Sequence, residues 1–302
     1  MDYDVIVIGG GAAGLSAALM LARSRRSVLV LDSGSPRNAP AEGVHGFLGH
    51  DGVAPTGLLA RGREELASYG GSVRNAEVQR VRRIEGGFDV DGVTGRRVLV
   101  ATGLVDELPD VPGLRERWGK DVIHCPYCHG WEFRDRSIAV LASGPMATHQ
   151  GLLFSQLSKD VTVLANGQHL SAEDRAKLDA RGVEIVEGEV AGVLTDADAI
   201  TGVRLDDGRV VGCEVITVSS FLQARSAVLE QLGLEPVDLE VAGHVIGSYI
   251  QADPTGRTAI DGVWAAGNVT SPMGQVVHVA AAGAMAGAAM NMDLIEEEIS
   301  SR

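Results

Sequence analysis

The chain has 302 residues, enough for two domains of ordinary size, and 45% of them are hydrophobic, as in a packed globular protein. Its net charge of −14 and its lack of a basic stripe exclude a general nucleic-acid binder or a protein that docks on acidic membranes. No apolar run reaches the roughly 20 residues that span a bilayer, and the N-terminus shows no signal-peptide pattern. We therefore expect a cytoplasmic protein.

The first 32 residues carry a dinucleotide-binding fingerprint. The apolar run Val5–Ile8 predicts a strand, the segment Gly9–Gly14 a glycine turn, and Leu15–Arg23 a helix. The next apolar run, Val28–Leu31, ends in Asp32, where the fingerprint expects an acid that holds a ribose hydroxyl pair. Glycines let the backbone approach a pyrophosphate, and the helix N-terminus supplies N–H donors. The pattern predicts a Rossmann-type nucleotide site.

The region that follows reads as a loop, a helix and short strands. The loop extends to about residue 56 and carries His45 and His50, which we interpret as polar loop residues, and the helix is predicted at Gly57–Tyr69. Strands are predicted at Val73–Ile84, Phe88–Val93 and Arg96–Val100. They end in the small residues Ala101-Thr102-Gly103, which suit close approach to a ligand. Prolines near residue 112 place the first domain boundary there.

A second strand–turn–helix unit begins at Arg136 and aligns with the first, which indicates an internal duplication. Ile138–Leu141 matches the first strand, but of the glycines in the turn only Gly144 is kept. The following strand, Val161–Leu164, runs into Ala165-Asn166-Gly167 with neither an acid for a ribose nor an arginine cluster for a 2′-phosphate. The second nucleotide site therefore reads as degraded.

The rest of the chain adds strands and a long helix. Strands are predicted at Val183–Val186, Val190–Leu194, Thr201–Leu205 and Val210–Val218, the last of which contains Cys213 as a core residue. A strand ending in Gly267-Asn268 precedes a helix through about Ile295 that is dense in Ala and Gly. Small residues allow a helix to pack closely on its neighbours, and the helix N-terminus is also suited to contact a flavin.

The motif Cys125-Pro126-Tyr127-Cys128 is the strongest chemical signal in the chain. A Cys-x-x-Cys pair closes a small disulfide and usually lowers one thiol's pKa from about 8.5 toward roughly 7. A structural zinc site usually has four Cys or His ligands in paired clusters, and here only Cys213 remains. Redox chemistry is favoured, and no metal site is expected.

With these motifs in order, the chain resembles the low-molecular-weight thioredoxin reductase family over nearly its full length. The resemblance implies an α/β flavoprotein of two Rossmann-like (three-layer ββα) domains, the second inserted into the first. The FAD domain would comprise residues 1–112 and 243–302, and the Cys-x-x-Cys domain residues 113–242. A homodimer is also implied. The residues expected to bind FAD are Gly9, Gly11, Ala12, Ala13, Gly14, Asp32, Asn38, Ala101, Thr102, Gly103, Gly267, Asn268, Gln275 and Val276.

Three departures from the reductases point to a branch of the family. His129 replaces an Asp after the second cysteine, Asn268 replaces an Asp in the C-terminal flavin motif, and the basic NADPH motif is absent. These features resemble the FAD-dependent dithiol oxidases of holomycin and gliotoxin type, which close disulfides in small natural products and reduce oxygen to hydrogen peroxide. The resemblance implies that Cys125 exchanges with the dithiol and Cys128 lies nearer the flavin.

Two histidines complete the predicted site, and two alternative functions are also considered. His129 is the expected acid/base, and His278 either assists proton transfer or packs. A disulfide reductase fed by NAD(P)H or by a protein donor such as ferredoxin is the alternative, because Gly144 and the whole second domain are kept. A flavin-binding redox sensor without turnover is a minor alternative.

Overall fold

The computed structural model describes residues 1–301, and the chain divides into two compact units. Unit 1 comprises Met1–Val105, Leu222–Leu239 and the chain from Gly247 onward, and unit 2 comprises Asp106–Phe221 and Glu240–Ile246. The predicted α/β class with one domain inserted into the other is confirmed. The unit limits differ from the predicted limits at residues 112/113 and 242/243. The second limit differs because Leu222–Leu239 contributes core residues to unit 1.

Unit 1 is built on a seven-stranded sheet in the order β3-β2-β1-β6-β5-β4, with β19 also paired to β6. Strands β1, β2, β3, β6 and β19 run parallel, while β4 and β5 form antiparallel pairs at one edge. The strands are β1 (Tyr3–Ile8), β2 (Val28–Asp32), β3 (Ser72–Asn75), β4 (Val81–Ile84), β5 (Gly87–Val90), β6 (Val93–Val100) and β19 (Val263–Ala265). The helices are α1 (Ala12–Arg23), α2 (Pro55–Ser68), α6 (Ala227–Glu230) and α7 (Val276–Ser300).

Helices α1 and α7 cover one face of this sheet because both present small residues to each other. A Cβ on Gly283 would collide with the carbonyl of Ala13, and one on Gly287 with the carbonyl of Ala17. The fully buried Val5, Val7, Val30 and Leu99 lie beneath them in one core cluster. The small-residue helix therefore owes its composition to tight packing on α1, as the sequence analysis allowed.

Unit 2 contains a five-stranded parallel sheet in the order β11-β10-β9-β15-β8 and a three-stranded antiparallel sheet in the order β12-β13-β14. The strands are β8 (Val122–Ile123), β9 (Ile138–Leu141), β10 (Val161–Leu164), β11 (Glu184–Val186), β12 (Val190–Asp196), β13 (Ala199–Leu205), β14 (Val210–Gly212) and β15 (Val215–Val218). The helices are α3 (Pro126–His129), α4 (Ala147–Phe154) and α5 (Ala172–Asp179). This is the strand–turn–helix repeat that the duplication predicted.

The four limits between the units fall within or at the ends of four short strands. These strands are β7 (Leu104–Glu107), β16 (Phe221–Ala224), β17 (Val237–Val241) and β18 (His244–Tyr249). Among the residues 1–301, no helix is long and apolar enough to cross a membrane.

Two strand predictions need correction. The segment Val73–Ile84 is two strands, β3 and β4, because polar residues of the connection between them interrupt the apolar pattern. The segment Val210–Val218 is likewise β14 and β15, which belong to different sheets, and Cys213 lies in the connection rather than on a strand. Helix α7 also extends five residues past the predicted end at Ile295, to Ser300.

Candidate functional site

The turn between β1 and α1 forms a cradle of bare backbone. Gly9 has a left-handed φ of +103°, and a Cβ there would collide with the carbonyl of Ala101. A Cβ on Gly14 would collide with the carbonyl of Gly9, so this glycine allows α1 to approach the turn. Gly11 is the N-cap of α1 and has no side chain with which to cap the helix, and nothing lies within 4 Å of where its Cβ would be. This leaves an open helix N-terminus suited to a pyrophosphate.

Asp32 stands beside this cradle at the end of β2. The backbone N–H of Gly10 donates to its Oδ1 at 3.0 Å, and Nη2 of Arg63 donates to its Oδ2 at 2.7 Å. The Asp32 side chain is 14% exposed. A carboxylate has about four acceptor sites, so these two donors leave room for a ribose hydroxyl on each oxygen. Arg63, on α2, carries no sequence signal for this role because 31 residues separate it from Asp32.

The Ala101-Thr102-Gly103 segment leaves β6 next to the glycine turn. The Ala101 N–H donates to the carbonyl of Ile8 at 2.7 Å, which fixes the two strand ends side by side. Thr102 Oγ1 donates to the backbone carbonyl of Arg225 at 2.6 Å, and the Arg225 N–H donates to the carbonyl of Gly103 at 3.0 Å. The hydroxyl of Thr102, a residue predicted to bind the cofactor, therefore holds the Arg225 backbone in place.

The C-terminal motif lies against the first turn of α1. Gly267 has φ +88°, and a Cβ there would lie 2.8 Å from the Cβ of Ala13. Nδ2 of Asn268 donates to the carbonyls of Ser271, Pro272 and Gly274 at 3.0, 3.3 and 2.8 Å. These bonds shape the loop that leads to Gln275, the N-cap of α7.

The remaining predicted residues of unit 1 flank these elements. Ala12 opens α1 and Val276 opens α7, so each lies in the first turn of a helix. His278, also in the first turn of α7, is exposed, so it is not a core residue. Asn38 lies in the loop after β2, where its carbonyl accepts the N–H of Ala41.

Unit 1 fits an FAD molecule on this geometry. The open N-terminus of α1 suits the pyrophosphate, and Asp32 presents two oxygens that can each accept a ribose hydroxyl. The residues that would hold the group are Gly9, Gly11, Gly14 and Asp32, with Ala101 and Gly267 bounding the same turn. All of these residues lie in unit 1.

The thiol pair lies in unit 2, where Cys125 and Cys128 form a disulfide with Cα atoms 5.2 Å apart. Cys125 is the N-cap of the short helix α3, and its Sγ accepts a hydrogen bond from the Cys128 N–H at 3.2 Å. This donor stabilises negative charge on Cys125 Sγ when the disulfide is opened. The His129 N–H donates to the Cys125 carbonyl at 3.1 Å, so the histidine is fixed to the same turn.

The surroundings of this turn differ on its two sides. A Cβ on Gly130 would collide with Leu157, so this glycine lets the turn pack against the chain after α4. Outward, Tyr127 is 69% exposed and Trp131 is 63% exposed, and the Arg134 guanidinium lies 4.4 Å from the Trp131 ring. The disulfide is therefore supported from inside the unit and flanked by exposed aromatic rings.

In unit 2 the loop after β10, which corresponds to the Asp32 end of β2, is held by the protein's own contacts. Asn166, in a left-handed conformation with φ +48°, donates through Nδ2 to the Ala142 carbonyl at 3.2 Å and accepts the Val190 N–H at 2.9 Å. A Cβ on Gly167 would lie 3.3 Å from Oε1 of Glu189, so a carboxylate lies beside this turn. The first arginine that follows, Arg175, pairs with Glu187 at 2.6 Å.

Cys213 is separate from the redox pair. It is 4% exposed, and burial, followed by the nearby Asp121 carboxylate, raises its pKa to about 12. A thiol held protonated in this way is inert, and the prediction that it is a core residue is confirmed. Residues 1–301 contain no group of His, Cys, Asp or Glu side chains that could hold a metal ion.

Known proteins share this architecture over the whole chain. The family profile described as pyridine nucleotide-disulphide oxidoreductase matches residues 3–286. The thioredoxin reductase sirT of Leptosphaeria maculans is 33% identical over 99% of this chain and 97% of its own length. The thioredoxin reductase tcpT of Claviceps purpurea is 32% identical over 97% of this chain and 95% of its own length.

Solved structures agree with this assignment. The crystal structure of HlmI is similar with a TM-score of 0.90 and 42% identity, covering 99% of this chain and 94% of that one. An oxidoreductase from Agrobacterium tumefaciens has a TM-score of 0.89 and 37% identity, covering 98% of this chain and 99% of that one. The chain therefore belongs to the pyridine nucleotide-disulphide oxidoreductase family, as an FAD-binding oxidoreductase of the thioredoxin reductase type.

Proposed function

We propose that this flavoprotein is a dithiol oxidase that closes an intramolecular disulfide in a small-molecule dithiol, with oxygen as the electron acceptor. The observation that carries the proposal is the turn at Asn166, where side-chain hydrogen bonds and the Glu189 carboxylate take the place of an NADPH phosphate site. A carboxylate there repels a 2′-phosphate. Without a hydride donor, electrons enter from the thiol substrate.

The thiol chemistry is an exchange at the disulfide. A substrate thiolate attacks Cys125 Sγ, a mixed disulfide forms, and the Cys125–Cys128 bond breaks to leave Cys128 as a thiolate. The second substrate thiol then attacks the mixed disulfide and releases the product disulfide, so both enzyme cysteines are reduced. FAD, held by the Gly9–Gly14 turn and Asp32, would supply the two-electron acceptor that reoxidises the cysteines and the centre at which oxygen is reduced. In sum, one dithiol and one oxygen give one disulfide and one hydrogen peroxide.

His129 is the proposed acid/base of this exchange. Its backbone is bonded to Cys125, and it directly follows Cys128, so the imidazole belongs to the same turn as both sulfurs. It accepts the proton of the incoming substrate thiol and returns it when a thiolate leaves. His278, on α7 of unit 1, is the second candidate for proton transfer, and its exposed side chain is accessible to solvent protons.

Anaerobic mixing tests the direction of electron flow. A small dithiol should bleach the flavin absorbance without oxygen, and admission of air should restore it with one peroxide per disulfide formed. The Cys128→Ser variant should retain FAD and lose the bleaching, with Cys213→Ser as a matched control that keeps it. Rapid bleaching by micromolar NADPH in the wild type would exclude the oxidase.

A disulfide reductase acting on thioredoxin is the second candidate, because curated relatives that align over nearly the full length are called thioredoxin reductases. In that case NAD(P)H or a protein donor such as ferredoxin would reduce the flavin, and the thiols would pass electrons outward. Reduction of thioredoxin by the protein under either donor distinguishes this activity from peroxide formation.

We also infer a homodimer that forms through α7. The helix exposes an apolar seam at Ala281, Met285, Ala288, Met292 and Ile299, with Ile295 half-buried between them. The spacing of 4, 3, 4, 3 and 4 residues is that of two helices packed side by side. A second copy offers the same seam, as a two-fold interface requires. A cytoplasmic location is part of the proposal, because a reducing compartment suits a catalytic Cys-x-x-Cys pair.

A further inference from the structure

A polar pocket lies beside Asp32 at the edge of the unit 1 sheet. It has a volume of about 520 Å³ and is lined by Ser33, Ser35, Asn75, Glu77 and Arg225. Ser33 directly follows Asp32, and Asn75 is the register partner of Asp32 on β3. The pocket therefore begins where β2 ends and extends over β3, at the carboxyl ends of parallel strands, where nucleotides bind in such sheets.

The position of this pocket relative to Asp32 indicates the ligand that it binds. If the two free acceptor sites of Asp32 take a ribose diol, the base attached to that ribose extends away from the glycine turn, toward the end of β3. The lining there suits a purine, because Glu77 can accept from an exocyclic amine and the amide of Asn75 can pair with a ring nitrogen. The volume is in the range that holds a compact ligand.

Arg225 is the cation of this pocket. Its backbone is fixed on both sides, since the Thr102 hydroxyl donates to its carbonyl at 2.6 Å and its own N–H donates to Gly103 at 3.0 Å. Among residues 1–301 the guanidinium has no ion-pair partner, although an acidic residue, Glu77, lines the same pocket. A planar cation held at a fixed position can stack on an adenine ring or contact a phosphate.

We propose that Arg225, with Glu77 and Asn75, recognises the adenosine end of FAD. In this assignment Thr102 is a positioning residue, because its hydroxyl donates to the Arg225 carbonyl and so holds the Arg225 backbone in place. The inference concerns cofactor affinity and holds for either direction of the thiol chemistry. A failure here would leave the oxidase proposal standing, and a failure of the oxidase would leave this site standing.

Flavin titration of the apoprotein tests the assignment. FAD and FMN are each titrated into wild type and Arg225→Gln, and binding is followed by quenching of flavin fluorescence. Loss of a stacked cation should raise the Kd for FAD about tenfold. The Kd for FMN should stay within twofold, because FMN lacks the adenosine. Arg74→Gln, which makes the same charge change one residue from Asn75 on the opposite face of β3, should alter neither.

Two outcomes would overturn the proposal. An unchanged Kd for FAD in Arg225→Gln would remove Arg225 from the site, and an equal loss of FAD and FMN affinity would show that the residue only maintains the fold. Competition against FAD by ADP and GDP reports on Glu77 independently. Wild type should prefer ADP, because guanine carries an acceptor where adenine carries its amine, and Glu77→Lys should abolish that preference. Retention of the preference would remove Glu77 from the site.

Discussion

Removing the Arg63 guanidinium should weaken FAD binding even though Arg63 lies outside the glycine turn. In the apoprotein, Arg63 and the Gly10 N–H hold the two oxygens of Asp32, so the carboxylate is oriented before the ribose arrives. Arg63 also compensates the Asp32 charge, which otherwise repels the cofactor's pyrophosphate. Arg63→Met keeps the apolar stem on α2 and removes both effects.

The magnitude follows from the geometry of this pair. A charge-assisted hydrogen bond contributes about 1.5–3 kcal/mol when well shielded. The Arg63 side chain is 37% exposed, so solvent screening reduces this to about half. A loss of about 0.75–1.5 kcal/mol corresponds to a roughly 3- to 13-fold rise in the Kd for FAD. Arg63→Lys, which keeps the charge but not the planar donor, should fall between these values.

Fluorescence titration of the apoproteins measures this effect, and Arg61→Met on the same helix is the matched control. Arg61 is exposed, and no hydrogen bond or ion pair of its side chain is present within residues 1–301. Asp32→Asn should weaken binding by itself, and the Arg63→Met substitution should then cost little more, because its partner is already neutral. Additive losses in the double variant, or equal losses in Arg61→Met, would refute the reasoning.

Three further predictions concern the thiols, the dimer and the acid range. His129→Gln should slow flavin bleaching by a dithiol about 100-fold with FAD still bound, whereas an equal loss in His278→Gln would move the proton transfer to α7. Met292→Glu, on the α7 seam, should give a monomer in sedimentation analysis, while Met273→Glu, exposed but off the seam, should not; dimeric Met292→Glu would exclude this interface. Hydrogen bonds from Arg26 and then Arg96 lower the pKa of Glu298 to about 2, so its contribution to stability is present above about pH 4.5 and is lost toward pH 2. The difference in Tm between wild type and Glu298→Gln should therefore shrink over that range, and a constant difference would contradict the assignment.

The sequence was sufficient for the parts of the fold that depend on local pattern. The runs Val5–Ile8 and Val28–Leu31 are β1 and β2, and the glycines between them form the turn, because each signal lies within a few residues of the structure it specifies. The duplicated unit was recognisable for the same reason. Boundaries were less certain where a polar connection shares the composition of a strand, as it does around Cys213.

The side chains that complete the site were not predictable in this way. Arg63 meets Asp32 from another helix, and Arg225 reaches the Thr102 segment from 123 residues further along the chain. Neither arginine belongs to a motif, and each gains its role only when the strands of unit 1 are assembled. Thr102 and Asn268, whose motif positions predict cofactor contact, also donate side-chain hydrogen bonds to backbone carbonyls that the motifs do not specify.

The two nucleotide turns explain why the thiol motif alone does not give the direction of catalysis. A Cys-x-x-Cys pair can oxidise a dithiol or, once reduced, can reduce a disulfide. The direction therefore depends on what reduces and what reoxidises the flavin. In unit 1 the turn is open, with Asp32 prepared for a ribose. In unit 2 the loop after β10, which corresponds to the Asp32 end of β2, is tied to Val190 by Asn166 and flanked by the Glu189 carboxylate. In the proposed oxidase, the dithiol rather than NADPH supplies the electrons that reduce the flavin.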